Sequence, residues 1–378
     1  MISNRCARKS LVTNCNSIIS KNYMRFLVDS NDKTQILKGI ALILMIIHHT
    51  SIPELWAVEG TGVYNYFQNQ VYVTKLCVWI FAFLVGYGFF YSANKTLKYS
   101  LKRILLLIIP FWTMMFLMFI PFSFYTGGIN NAMEYKEITS PVGTEMILLE
   151  IVYNLFGISE SLNWYSWFVC FYILAIISMP FLHRLFVRFP KYGWMVAIVC
   201  FYGFAVLIHT FLPWDSNLIL LNIFIFSRLI TLVIVGYMCA FWNYKGLLPK
   251  WFEGKNKWWL SLLVILLVLI IQGLQLPTKG FCIQAFYTPF FIFAIVGLFN
   301  SHSLNGISRF LQKVGDLSMY MWFFHAVFFT ETVNLYTKNL VMEPFHSFPY
   351  TLLMTFVLTY LGSWCFKKLL TPLINKIK

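Results

Sequence analysis

Long apolar blocks separated by short polar segments run along almost the whole chain. A membrane-spanning helix needs about 20 predominantly apolar residues. Ten blocks meet that length within the latitude that tilt allows, near residues 36–52, 71–92, 102–124, 162–186, 192–212, 217–242, 258–276, 281–300, 317–335 and 349–370. The stretch 145–157 (EMILLEIVYNLFG) is too short and too acidic to span, so it predicts an interfacial or re-entrant helix. Residues 1–33 are polar and basic, with no apolar run of signal-peptide length, and are expected to be disordered or loosely held at an anionic membrane surface. When the two five-span halves are laid together they show no convincing repeat, which weighs against a secondary transporter.

The pattern therefore predicts an all-α polytopic membrane protein of about ten transmembrane helices. A polar N-terminal segment (1–35) precedes a ten-helix membrane domain (36–372), which carries a large outer loop at about 125–161, and a short tail (373–378) follows. Composition strengthens this reading: 59% of the residues are apolar and 11% charged, with mean hydropathy +0.69. A soluble domain carries about a quarter charged residues, so an ordinary globular enzyme, a disordered chain and a coiled-coil rod are all excluded.

Charge then orients the spans. Positive residues are retained on the cytoplasmic side of short loops. Of the 29 Lys and Arg residues, 24 fall in alternate connections that include both ends of the chain, four (Lys75, Lys136, Lys279, Lys338) fall on the opposite side, and Arg228 lies within a span. Ten of the fourteen acidic residues fall on the poorly basic side. Both termini are accordingly expected in the cytoplasm. The net charge of +15 reflects this topology, and no nucleic-acid partner is expected. The eight cysteines lack Cys-x-x-Cys spacing, so neither a disulfide framework nor a metal site is predicted.

Ionisable groups inside spans are costly and mark candidate sites. The first span carries Lys38 near its start and the pair His48 and His49 at its end. Eleven residues make three turns plus about 20°, so Lys38 and His49 share a helical face, roughly 16 Å apart along the axis. Two readings fit that register. Lys38 and His49 are interfacial anchors of the helix, or His49 is a general base, since a neutral imidazole takes a proton from a hydroxyl near neutral pH. Arg228 and His325 lie nearer mid-membrane. Arg228 either forms a structural ion pair, for example with Glu331, or faces a wet cavity and holds an anion. His325 is either a hydrogen-bonded structural histidine or part of a site. Trp164 and Trp167 offer a stacking platform for a sugar, or belong to the interfacial aromatic belts.

The stretch ILKGIALILMIIHHT resembles the first span of the acyltransferase 3 family, integral-membrane enzymes that commonly O-acylate bacterial surface carbohydrates. That family's signature is an Arg, ten intervening residues and a His, and its positions fall here on Lys38 and His49. Further stretches are similar in the same order: VWIFAFLVGYGFFYS with Gly86 and Tyr87, KRILLLIIPFW with Arg103 and Pro110, NWYSWFVCFYILAIISMPFL with Trp167, Phe168 and Pro180, and GDLSMYMWFFHAVFF with Gly315, Ser318, Tyr320 and His325. The likeness implies acyl-CoA, usually acetyl-CoA, as donor and a glycan hydroxyl as acceptor. The sequence ends soon after the tenth predicted span, so the extracytoplasmic hydrolase-like domain carried by some relatives is not expected.

The reading that follows is a bacterial plasma-membrane O-acetyltransferase of an envelope or capsular polysaccharide or its precursor. His49 is its expected base, Arg228 or His325 stabilises the oxyanion, and Lys38 and Arg103 hold the donor phosphates. Its expected partners are the lipid bilayer, acetyl-CoA and a carbohydrate. The contending class is a transporter or flippase of polar envelope components.

Overall fold

The computed structural model describes residues 31–56, 59, 61–126, 144–163, 165–248, 251–252, 257–274, 282–299, 304–328 and 347–377. Among them every regular element is helical and no strand occurs. In chain order the α-helices are α1 (Asn31–Thr50), α2 (Gly62–Thr74), α3 (Leu76–Tyr91), α4 (Leu97–Met114), α5 (Ile120–Thr126), α6 (Thr144–Leu155) and α7 (Trp167–Arg188). They continue as α8 (Gly193–Phe211), α9 (Leu218–Tyr244), α10 (Trp258–Gly273), α11 (Gln284–Phe299), α12 (Asn305–Asp316), α13 (Ser318–His325) and α14 (Phe348–Ile377).

Among the described residues, five segments are long and apolar enough to cross a bilayer: Gly62–Tyr91, Leu97–Tyr125, Trp167–Arg188, Gly193–Phe211 and Leu218–Tyr244. Of the other predicted spans, α10 and α11 are apolar but shorter, at 16 residues each. The predicted span 317–335 is described only as far as Phe328. α13 ends at His325, a 3-10 turn covers Ala326–Phe328, and the rest lies outside the described residues, as do residues 1–30 and residues 127–143 of the outer loop. The helix stops where the His325 side chain turns back on the Trp322 carbonyl, satisfying one of the acceptors that a helix C-terminus leaves open.

Two helices fall where the apolar pattern predicts only connections. α2 joins α3 through a single residue, Lys75, which caps both. α12 is strongly amphipathic and packs along α1. The stretch 145–157, expected as a non-spanning helix, is helical over Thr144–Leu155, and its polarity is inverted. Leu148, Leu149, Val152 and Phe156 are exposed, while Glu150 and Asn154 are buried. Glu150 accepts from Ser159 and Ser161, and Asn154 donates to Glu150 and Ser161, so the polar face is closed by the loop that leads into α7. An apolar outward face suits an apolar surrounding.

Two helix pairs approach at backbone distance. A Cβ on Gly86 of α3 would lie 1.8 Å from the Val233 carbonyl oxygen of α9, and one on Gly236 of α9 would lie 2.1 Å from the Phe83 carbonyl oxygen of α3. The α1–α12 pair repeats the device: a Cβ on Gly39 would meet the Leu311 carbonyl oxygen at 2.3 Å, and one on Gly315 the Gln35 carbonyl oxygen at 1.9 Å. Small residues at such crossings are how helices pack closely in lipid, where no hydrophobic effect drives them together. The first crossing sets α9, and the second sets the Lys38 end of α1 against the end of α12. The main core runs through α1, α3, α7, α9 and α11, and a second cluster joins α4 to α13 and α14.

Candidate active site

α1 carries His48 and His49 in its last turn, and its end is tied down on two sides. The Trp56 indole donates to the Thr50 carbonyl at 2.6 Å, and the His48 ring meets the Val71 carbonyl of α2 at 2.7 Å. A carbonyl oxygen only accepts, so His48 Nδ1 carries the proton and acts as a brace between α1 and α2.

His49 points the other way, toward the end of α13. His325 Nε2 lies 2.9 Å from His49 Nδ1, the two rings are stacked at 4.8 Å, and His325 Nδ1 lies 2.5 Å from the Trp322 carbonyl oxygen. These contacts fix the tautomers of a neutral pair. The carbonyl requires the proton on His325 Nδ1, which leaves His325 Nε2 as an acceptor. His49 Nδ1–H must then donate to it, and the His49 lone pair sits on Nε2. The arrangement is that of an activated imidazole whose inner nitrogen is held by a third group.

Tyr165, in the turn before α7, closes the cluster. Its ring centroid lies 4.0 Å from His49 and 5.0 Å from His325, and its buried hydroxyl makes no hydrogen bond among the described residues. A buried donor left unpaired in this way is costly, unless a substrate completes it.

His49, His48 and Tyr165 line a cavity of about 440 Å³ whose wall also holds Lys75, Glu160, Trp167 and Arg228. A second cavity of about 510 Å³ opens at the Lys38 end of the same face of α1. Lys38, Arg103, Tyr99, Tyr172, Asp316 and Lys367 line it, and Lys367 pairs with Asp316 at 2.5 Å. The two cavities share three lining residues, Phe81, Phe168 and Trp322. Phe168 meets Trp322 edge to face at 4.9 Å and Phe81 at 6.3 Å, so a thin aromatic septum separates the cavities.

The residues singled out in the sequence thus fall into two groups that line two adjoining cavities. Lys38 and Arg103 share the second cavity, and His49 and Arg228 line the first, with His325 hydrogen-bonded to His49. Arg228 stacks its guanidinium over Phe224 at 5.4 Å, and its buried Nε has no hydrogen-bond partner among the described residues. Glu331, Trp164, His302 and His346 lie outside the described residues. His183 bonds the Tyr237 hydroxyl at 2.6 Å, away from both cavities. Tyr165, Lys75 and Lys367 carried no sequence signal, since each stands in a stretch that reads as aromatic belt or basic flank.

Residues 32–367, nearly the whole chain, match the family model of the acyltransferase 3 acyltransferase domain. The chain belongs to the acyltransferase 3 family. No curated protein and no solved structure matches it.

Proposed function

We propose that this acyltransferase is a bacterial plasma-membrane O-acetyltransferase that moves an acetyl group from cytoplasmic acetyl-CoA to a hydroxyl of an envelope or capsular polysaccharide or its precursor. The observation that carries the reading is the pairing of His49 with His325 in a cavity that abuts, across one aromatic septum, a second cavity lined by Lys38, Arg103 and Lys367. The positive balance of the segments at the Lys38 end supports placing that cavity in the cytoplasm.

In this scheme the CoA phosphates rest on Lys38 and Arg103, which supply charge-assisted contacts. The thin pantetheine arm covers the roughly 16 Å rise along α1, passing between Phe81, Phe168 and Trp322. The thioester then reaches the His49 cavity, which the acceptor enters from the opposite side, its sugar ring against Trp167. His49 Nε2 takes the hydroxyl proton as the oxygen attacks the thioester carbonyl, while His325 Nε2 accepts from His49 Nδ1–H and steadies the resulting imidazolium. The Tyr165 hydroxyl, on a ring 4.0 Å from His49, takes the oxyanion role in place of His325, whose nitrogens are both engaged, and of Arg228, whose guanidinium lies over Phe224. Collapse of the tetrahedral species breaks the carbon–sulfur bond, and His49 returns its proton to the thiolate, giving the ester and free CoA.

The test is labelled acetyl-CoA supplied to membranes containing the full chain and envelope glycans. Label is expected in an alkali-labile ester on the glycan, and none with His49→Ala. Passage of an unmodified glycan or lipid-linked precursor across the membrane, with no label transferred, would establish a transporter in its place.

A further inference from the structure

The wall of the His49 cavity holds two cations that the acyl-transfer chemistry leaves over. Lys75 sits at the junction of α2 and α3, and Arg228 is in α9, one residue after Ser227, whose hydroxyl bonds back within its own helix. Both line the one cavity, where the Lys75 charge acts on His48 and His49 and the Arg228 charge acts on Lys75. Among the described residues neither makes an ion pair, and the Arg228 Nε is buried and unpartnered. Glu160 is the one carboxylate in the described lining, which leaves the wall with an excess positive charge next to the catalytic histidine. A guanidinium that cannot lose its charge and stands within a membrane domain calls for an anion facing it.

We infer that Lys75 and Arg228 form an anion subsite that takes a carboxylate carried by the substrate beside the reacting centre. The inference rests on the acyl-transfer reading of this cavity and narrows its substrate. Two sources present the same chemistry. The carboxylate belongs to an acidic sugar of the acceptor, or it is the far end of a dicarboxylic acyl group on the donor. In either case Arg228 supplies the planar fork that matches a carboxylate, and Lys75 a point charge on its other side.

The experiment uses the full chain in detergent and two matched probe pairs. Binding and transfer are measured for a tetragalacturonate against its methyl ester, and for succinyl-CoA against acetyl-CoA. Wild type is expected to favour the charged member of one pair by about ten- to a hundredfold, in line with a charge-assisted contact. Selectivity in the sugar pair identifies the acceptor as the source, and selectivity in the CoA pair identifies the acyl group. Arg228→Gln should bring that ratio close to one, Arg228→Lys should restore part of it, and Lys75→Met gives an independent second removal of charge if Arg228→Gln does not fold. Equal binding of charged and neutral members in both pairs by wild type overturns the subsite, as does a ratio unchanged by both charge removals. Binding separates this result from the acyl-transfer reading. A carboxylate-selective, Arg228-dependent affinity without any transfer keeps the subsite and removes the enzyme, while transfer without selectivity does the reverse.

Discussion

His49 and His325 stand 276 positions apart and share one hydrogen bond, and nothing in the sequence pairs them. The register of Lys38 and His49 on one face is legible, because helix geometry alone sets it. Which partner orients the imidazole depends on where α13 stops. Replacing His49 with Ala should lower turnover about 10²- to 10⁴-fold, the usual effect of removing a general base, with undiminished membrane expression. His325 acts through His49, so His325→Leu should reduce kcat strongly with little change in donor KM. His325→Gln, whose side-chain oxygen accepts from His49 Nδ1–H, should recover part of the loss, and equal kcat in the two variants would show that the hydrogen bond is not used. His48→Ala removes only a brace between α1 and α2 and should be milder. Tyr165→Phe deletes one oxygen from a well-packed ring. Loss of an oxyanion donor typically costs about 10²- to 10³-fold in kcat, and full activity in that variant would remove Tyr165 from the chemistry.

At the scale of elements, the apolar blocks locate most of the helices, because a long run of Leu, Ile and Phe in this composition has no other stable arrangement. The same signal is blind to α2 and α12. GVYNYFQNQVYVT and NGISRFLQKVGD are polar on one face and too short to read as spans, and only their packing against α3, α10 and α1 shows their use. The glycine crossings are the features that set the two cavities. Gly86→Ala or Gly236→Ala forces α3 and α9 apart and should cost about 1–3 kcal/mol, the usual range for overpacking. Its reading is a lower thermal midpoint in detergent. Gly315→Ala acts on the α1–α12 crossing beside Asp316, so it should additionally weaken CoA binding, whereas the α3–α9 variants should leave donor affinity closer to wild type.

For the molecule as a whole, the decisive arrangement is two cavities end to end with one helix face in common. An acetyl group can cross such a septum in two ways. It can remain on CoA, whose arm threads between Phe81, Phe168 and Trp322, or it can be passed to His49 and released to an acceptor later. The two differ in what the His49 lone pair does, taking a hydroxyl proton in the first and attacking the thioester carbonyl in the second, and the proposed scheme is the first. Direct attack requires donor and acceptor to be bound together, so rapid-quench trapping with labelled acetyl-CoA alone should leave the protein unlabelled, and initial rates should show dependence on both substrates in a single ternary complex. Removing the charge of Lys38 or Arg103 should weaken acetyl-CoA binding about ten- to a hundredfold, as loss of a charge-assisted contact does. The aromatic septum makes a separate demand, because Trp322→Ala widens the passage without touching either charge cluster. That variant should tolerate a longer acyl-CoA that wild type excludes, measured as a shift in the ratio of butyryl to acetyl transfer. Acetylated His49 accumulating in the absence of acceptor would establish double displacement, and the two cavities would then be loading and unloading stations visited in turn.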